Sequence, residues 1–203
     1  MNAYLQIAPV ACFVFALTII TSLYAFSNTN VYGKFMLHPY SVAKGAKPWT
    51  LITSGLIHAD WGHLFFNMMT FFFFAFRLEA QVGSLRFAII YFAGMVLADI
   101  PSVVKHKDHF WYNSLGASGA ISAVLFSYIL FDPLSKLYIM FIPIGIPAVL
   151  FGGIYLVYCV YMSKNSRDNI NHDAHFFGAL AGLILTVLMV PGIINHFLNT
   201  LFG

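Results

Sequence analysis

Charge is what this chain has least of. Of its 203 residues, 10 are Lys or Arg and 7 are Asp or Glu, so 8% are charged while 60% are hydrophobic. An ordinary soluble domain carries about 25% charged residues, and a chain this poor in charge is excluded from that class. Cysteine is scarce too: Cys12 and Cys159 both lie inside apolar runs, which rules out a disulfide framework. The formal net charge of +3 comes without a basic run, which removes nucleic acid as a partner. No internal repeat or low-complexity linker is evident, and FFFFAF at 71–76 reads as lipid-facing bulk.

What is present is a series of apolar runs of the length that crosses a bilayer, about 20 residues each. Six spans are expected, at about 6–26, 61–78, 84–101, 117–131, 137–161 and 174–199, with Pro143 and Pro147 kinking the fifth. The opening MNAYLQ has no Lys or Arg, which argues against a cleaved leader. The expected architecture is all-α: a polytopic, compact six-helix membrane bundle forming one domain over residues 1–203. A long loop between the first two spans carries Tyr32, Phe35, Tyr40 and Trp49, aromatic residues suited to the membrane interface. This loop and the segments 102–116 and 162–173 fall on one side, leaving the other side plain.

The fourth span is short. From Ala117 to Phe131 a helix rises about 22 Å, against a hydrocarbon core of about 30 Å. Asp132-Pro133 ends it at the plain side, so its N-terminus starts below the opposite surface. Ser118 sits at that N-terminus, where unpaired N–H groups could hold an anion. Around it, Gly116, Gly119, Ala120 and Ala123 are small enough for close helix packing. Packing alone would explain a lone GxSG, but other polar residues in the spans shift the reading toward chemistry. His63 and Asn67 share a face of the second span, and His175 precedes the Gly178/Gly182 pair of the sixth. Ionisable groups inside a membrane are costly and mark function by default. If the fourth and sixth spans pack through their small residues, Ser118 and His175 can meet as a nucleophile and its base. Asp173 is too close in sequence to His175 to serve as a third member, and reads as the N-cap of the sixth span.

In these motifs the chain resembles the rhomboid intramembrane serine proteases. Gly116-Ala117-Ser118-Gly119 resembles the family's GxSG at the start of the fourth helix. His63-x-x-x-Asn67 resembles its second-helix motif, with His58 five residues before, and Ala174-His175-x-x-Gly178-x-x-x-Gly182 resembles the sixth-helix base and packing glycines. Glu79-x-x-x-Gly83-Ser84 resembles the acidic residue and glycine after helix two. The resemblance runs from about Trp49 to Gly182. It implies a Ser–His dyad of Ser118 and His175, with an oxyanion hole from His63, Asn67 and the N–H groups of Ser118 and Ala117. Gly116, Gly119, Glu79, Gly178 and Gly182 are implied as structural supports. No metal or cofactor is implied, and the substrates are transmembrane proteins cut within or near their helices. The family's frequent Trp-Arg is here Trp49-Thr50. A Tyr that commonly follows the nucleophile by four residues is here Ser122, which leaves Phe176 or Phe177 to orient His175.

Two other readings are open: a non-catalytic rhomboid-like binder of transmembrane helices, and a zinc-dependent membrane hydrolase using His58 or His63 with His172 and His175. Orientation brings a conflict. Lys34, Lys44, Lys47, Lys105, Lys107, Lys164 and Arg167 lie on the side of the long loops, and Arg77, Arg86 and Lys136 on the other. Positive charge favours the cytoplasmic side. The resemblance implies the reverse, a multi-pass protein of a prokaryotic cytoplasmic membrane with its active site opening to the outer side, and that is the reading adopted.

Overall fold

The computed structural model describes residues 2–138, 143–165 and 168–203. The elements are α1 (Asn2–Ile7), α2 (Pro9–Ser27), α3 (Thr29–Phe35), α4 (Pro39–Ala43), α5 (Thr50–Thr53), a 3-10 turn (Ser54–Leu56), α6 (Trp61–Val82), α7 (Ser84–His106), α8 (Ser118–Phe131), β1 (Lys136–Tyr138), β2 (Gly145–Pro147), α9 (Ala148–Asn165), α10 (His172–Met189) and α11 (Ile193–Phe202). Three of them, α2, α7 and α10, are long and apolar enough to cross a membrane. The apolar α8 is shorter.

Helix α8 is the axis of a helical bundle. Every residue from Gly119 to Leu130 is buried, which is what a helix apolar on all sides requires. Helices α6, α7 and α10 pack around it, α2 lies against α6, and α9 rests on the outside against α8 and α10. The α8–α10 contact is made through main chain. A Cβ at Gly178 would lie 2.2 Å from the Gly119 carbonyl oxygen, and one at Gly182 would lie 2.1 Å from that of Ala123. Only glycine permits this approach, the small-residue logic of membrane helices. Lower down, Ser127 Oγ donates to the Gly182 carbonyl (3.1 Å) and accepts from Thr186 Oγ1 (2.8 Å), so the buried hydroxyls find partners across the same seam.

Glu79, buried in α6, accepts hydrogen bonds from the N–H groups of Val10 (3.1 Å) and Ala11 (2.6 Å) and from Ser84 Oγ (2.6 Å). It thus satisfies the free first turn of α2 with a carboxylate, the charge that end of a helix favours. The chain between α2 and α6 is tied down by a bridge in which Leu37 and Ser114 exchange N–H···O bonds of 2.9 and 3.0 Å. Thr50 closes its own turn by donating to the Lys47 carbonyl (2.8 Å).

The expected first span is broken at Ala8 between α1 and α2, the second and third run on to Val82 and His106 (so the expected loop 102–116 begins as helix), and the last two differ more. The fifth does not begin near 137: β1 and β2 pair antiparallel, Lys136 opposite Pro147, and α9 starts at Ala148. Proline lacks an N–H and biases its predecessor toward extended backbone, so Pro143 and Pro147 precede the helix instead of kinking it. Residues 139–142 of that expected span lie outside the described residues. The sixth does not run to 199. It stops at Met189, and after Pro191 and Gly192 (φ 81°) the chain restarts as α11. Glycine adopts that left-handed backbone without penalty, and the proline cannot continue the ladder. His196, in α11, contacts the Phe131 carbonyl oxygen (2.7 Å).

Candidate active site

Ser118 opens α8 and His175 lies in the first turn of α10. The glycine contacts bring these two helix starts together, and His175 Nε2 lies 2.7 Å from Ser118 Oγ. That is the length of a strong hydroxyl–imidazole hydrogen bond. Both line one cavity of about 770 Å³, with Asp60, His63, Asn67, Asp99 and Asn171 among its polar walls.

Opposite the Ser118–His175 pair stands the start of α6. Asp60 caps it by accepting from the His63 N–H (2.8 Å). His63 Nδ1 accepts from the Ala59 N–H (3.4 Å), which leaves the ring proton on Nε2. That edge faces Gly116, where a Cβ would meet His63 Cε1 at 2.6 Å and Nε2 at 2.7 Å. Gly116 also has φ +114°, so steric room and backbone both require glycine there. Asn67, one turn on, donates one amide hydrogen to the His63 carbonyl (2.9 Å) and keeps a second.

The Ala117 N–H is not free to join this group. It points at His58 Nε2 (3.4 Å), and Ala117 is wholly buried. His58 Nδ1 then carries the proton and meets Ser22 Oγ (3.0 Å), whose hydroxyl donates to the Leu56 carbonyl (3.1 Å). Burial foremost, with His63 next to it, pushes the His58 imidazole down to about 3, so it stays neutral and holds the loop beneath Ser118. Asp173 does not cap α10. Asn171 does, accepting from the Ala174 N–H (3.0 Å), while Asp173 pairs with Lys105 (2.5 Å) and with Ser163.

Neither Phe176 nor Phe177 makes a ring contact with His175: they stand edge to face with each other, 5.4 Å apart. Two rings touch His175: His172 stands edge-on to it, 6.0 Å away and at 80°, and Tyr155 of α9 lies nearly flat against it, 6.3 Å away and 18° from parallel. Its hydroxyl lies 3.0 Å from Ser122 Oγ. Tyr155 sits in an apolar run, FGGIYLVYCVY, where aromatic residues are too common to single one out. The serine at 122 was the available signal, a small polar residue one turn after Ser118 that called for a partner. The His172 ring in turn has its Nε2 3.2 Å from each carboxylate oxygen of Asp168. Among the described residues no group of three or more His, Cys, Asp or Glu side chains converges to hold a metal, so His58, His63, His172 and His175 do not form a zinc site.

The rhomboid domain family matches residues 45–192. Over 194 residues the chain is 34% identical to the rhomboid protein YdcA of Bacillus subtilis (strain 168), covering 93% of this chain and 92% of that one. It is 27% identical over 150 residues to the rhomboid protease GlpG of Haemophilus influenzae, covering 73% of each. Over 170 residues it is 27% identical to the mitochondrial RHOMBOID-like protein 12 of Arabidopsis thaliana, covering 74% of this chain and 50% of that protein.

Proposed function

Because this chain belongs to the rhomboid family, we propose that it is an intramembrane serine endopeptidase that cuts other membrane proteins within or near their transmembrane helices. The observation that carries the reading is the 2.7 Å approach of His175 Nε2 to Ser118 Oγ inside a polar-walled cavity. In this scheme His175 takes the Ser118 proton as Oγ attacks the substrate carbonyl carbon. The oxyanion is held by the Ser118 N–H, which has no preceding helical turn to donate into, and by His63 Nε2–H and Asn67 Nδ2–H. As the tetrahedral intermediate collapses, His175 gives the proton to the leaving amine. Water then enters, loses a proton to the same imidazole and releases the acyl group. The substrate class follows from the buried site. A peptide bond in a helix is hydrogen-bonded and shielded, so segments with Gly, Ser or Pro, which unwind readily, suit it best. The bundle is read as six spans, α2, α6, α7, α8, α9 and α10, with the chain between α2 and α6 at the membrane interface. The single domain covers residues 1–203, and the cavity opens to the outer side of a prokaryotic cytoplasmic membrane.

The test is covalent capture. A fluorophosphonate is expected to label the purified protein at Ser118, to be unaffected by chelator, and to leave Ser118→Ala unlabelled. Equal labelling of Ser118→Ala would end the protease reading, and labelling abolished by chelator would return the zinc reading. His63→Ala and Asn67→Ala are each expected to lower kcat for a transmembrane substrate by about 10²–10³-fold with KM little changed, as removal of an oxyanion donor does. A pure KM effect would assign them to binding instead.

A further inference from the structure

The base lacks the aromatic neighbour its resemblance leads one to expect at position 122, yet an imidazole with one hydrogen bond to a serine can still swing. His172 of the same helix meets its ring only edge-on, at 80°, and the ring that lies flat against it comes from outside the α8–α10 seam. On α9, Gly152, Tyr155 and Cys159 follow one another on a single face, at the three- and four-residue spacing that aligns side chains on a helix. Gly152 is buried, and a Cβ there would come within 3.0 Å of Ile129 Cδ1 and 3.4 Å of Phe126 Cε1. The glycine therefore lets α9 settle onto α8 at that level. One turn later Tyr155 enters the gap so formed. Its ring lies between Phe126 (5.8 Å), Phe151 (6.0 Å) and His175 (6.3 Å), near-parallel to the last two. These separations fall within the range of favourable offset stacking. The hydroxyl meets Ser122 Oγ at 3.0 Å, which fixes how far the ring reaches along α8.

We propose that Tyr155 is a positioning residue for His175: tethered to Ser122, its ring backs the imidazole and keeps Nε2 aimed at the Ser118 hydroxyl. The small residue at 122 and the tyrosine at 155 then form one device, the serine making room for the ring and anchoring its far end. The inference rests on the reading of His175 as the base, and its first measurement is independent of that reading.

That measurement is the ring-current shift of the His175 imidazole protons, taken by NMR on full-length protein in micelles, in the inactive Ser118→Ala background. Tyr155→Leu is expected to move these resonances toward their unstacked positions, and Tyr155→Phe, which retains the ring, to leave them near their place. Unmoved resonances in Tyr155→Leu would overturn the proposal whatever the protein's activity. The second measurement is turnover of a transmembrane substrate by otherwise native protein. Tyr155→Leu is expected to lower kcat by about 10²-fold with KM little changed, the cost of a base displaced by about an ångström. Tyr155→Phe and Ser122→Ala, which lose only the tether, are each expected to lower kcat about 5-fold, the value of one ordinary hydrogen bond. Their combination should fall no further than either alone, because both break the same bond. Ser122→Ala also serves if Tyr155→Leu does not fold. Tether losses that multiply, or a Tyr155→Leu effect confined to KM, would overturn the positioning role. Resonances that shift as expected in a protein whose wild type shows no Ser118-dependent turnover would refute the protease reading and leave the ring contact standing.

Discussion

His175→Ala is expected to lower kcat for a transmembrane substrate by about 10⁴-fold, the upper end for loss of a proton-transfer partner, while the protein remains folded. The size of the effect comes from the double duty of one imidazole. In the proposed mechanism it removes the Ser118 proton in acylation and supplies a proton to the leaving amine, so that without it both steps must use water. The fold should tolerate the change because His175 is only half-buried at the cavity wall, and the α8–α10 seam is closed by Gly178 and Gly182. The check is a pair of measurements on detergent-purified protein: initial rates with a fluorogenic transmembrane peptide, and the thermal unfolding midpoint. A rate within about tenfold of wild type would mean that another group carries the proton, since even modest base catalysis is worth about 10²-fold.

The second large effect concerns the seam itself. Gly178→Val and Gly182→Val are each expected to destabilise the protein by about 3 kcal/mol or more, at or beyond the usual upper end for overpacking. The clash cannot be relieved by rotating a side chain. The added Cβ would sit 2.2 Å from the Gly119 carbonyl oxygen in one case and 2.1 Å from that of Ala123 in the other, so the helices themselves must separate. Separation moves His175 from Ser118, so any folded fraction should be slow as well, by about 10²-fold for an ångström of displacement. Gly153→Val is the control: it lies on the exposed side of α9 with nothing within 4 Å of its Cβ, and should shift the unfolding midpoint little. Unfolding midpoints for the three variants decide the matter. Equal stability of all three would remove the seam from its structural role.

Much of this arrangement could be read from residue spacing. The short apolar run after Gly116, the His63/Asn67 pair and the His175–Gly178–Gly182 series each sit on a helix where periodicity places them. Their convergence follows because small residues dictate which faces touch. Glu79 was legible as a structural residue, but its partners, the first N–H groups of α2, were not, since they lie 68 and 69 residues away in sequence. Pro143, Pro147 and the Pro191-Gly192 pair were visible, yet long apolar runs on either side masked their effect, and helix ends were drawn by hydropathy where proline in fact set them. Ala117 was misassigned because its N–H is claimed by His58, a contact between segments that no local pattern announces. Tyr155 was missed for the same reason. An aromatic on an apolar helix looks like filler until the helix is seated against its neighbour.

The loose seating of α9 has a further consequence. Its buried residues are only Ala148, Gly152 and Cys159, and much of its remaining surface faces outward. Main-chain contact between α8 and α10 sets how far apart Ser118 and His175 begin, whereas α9 reaches His175 only through the Tyr155 ring. A substitution that loosens α9 would therefore be felt first in the tilt of the imidazole, while the spacing of the inner pair holds.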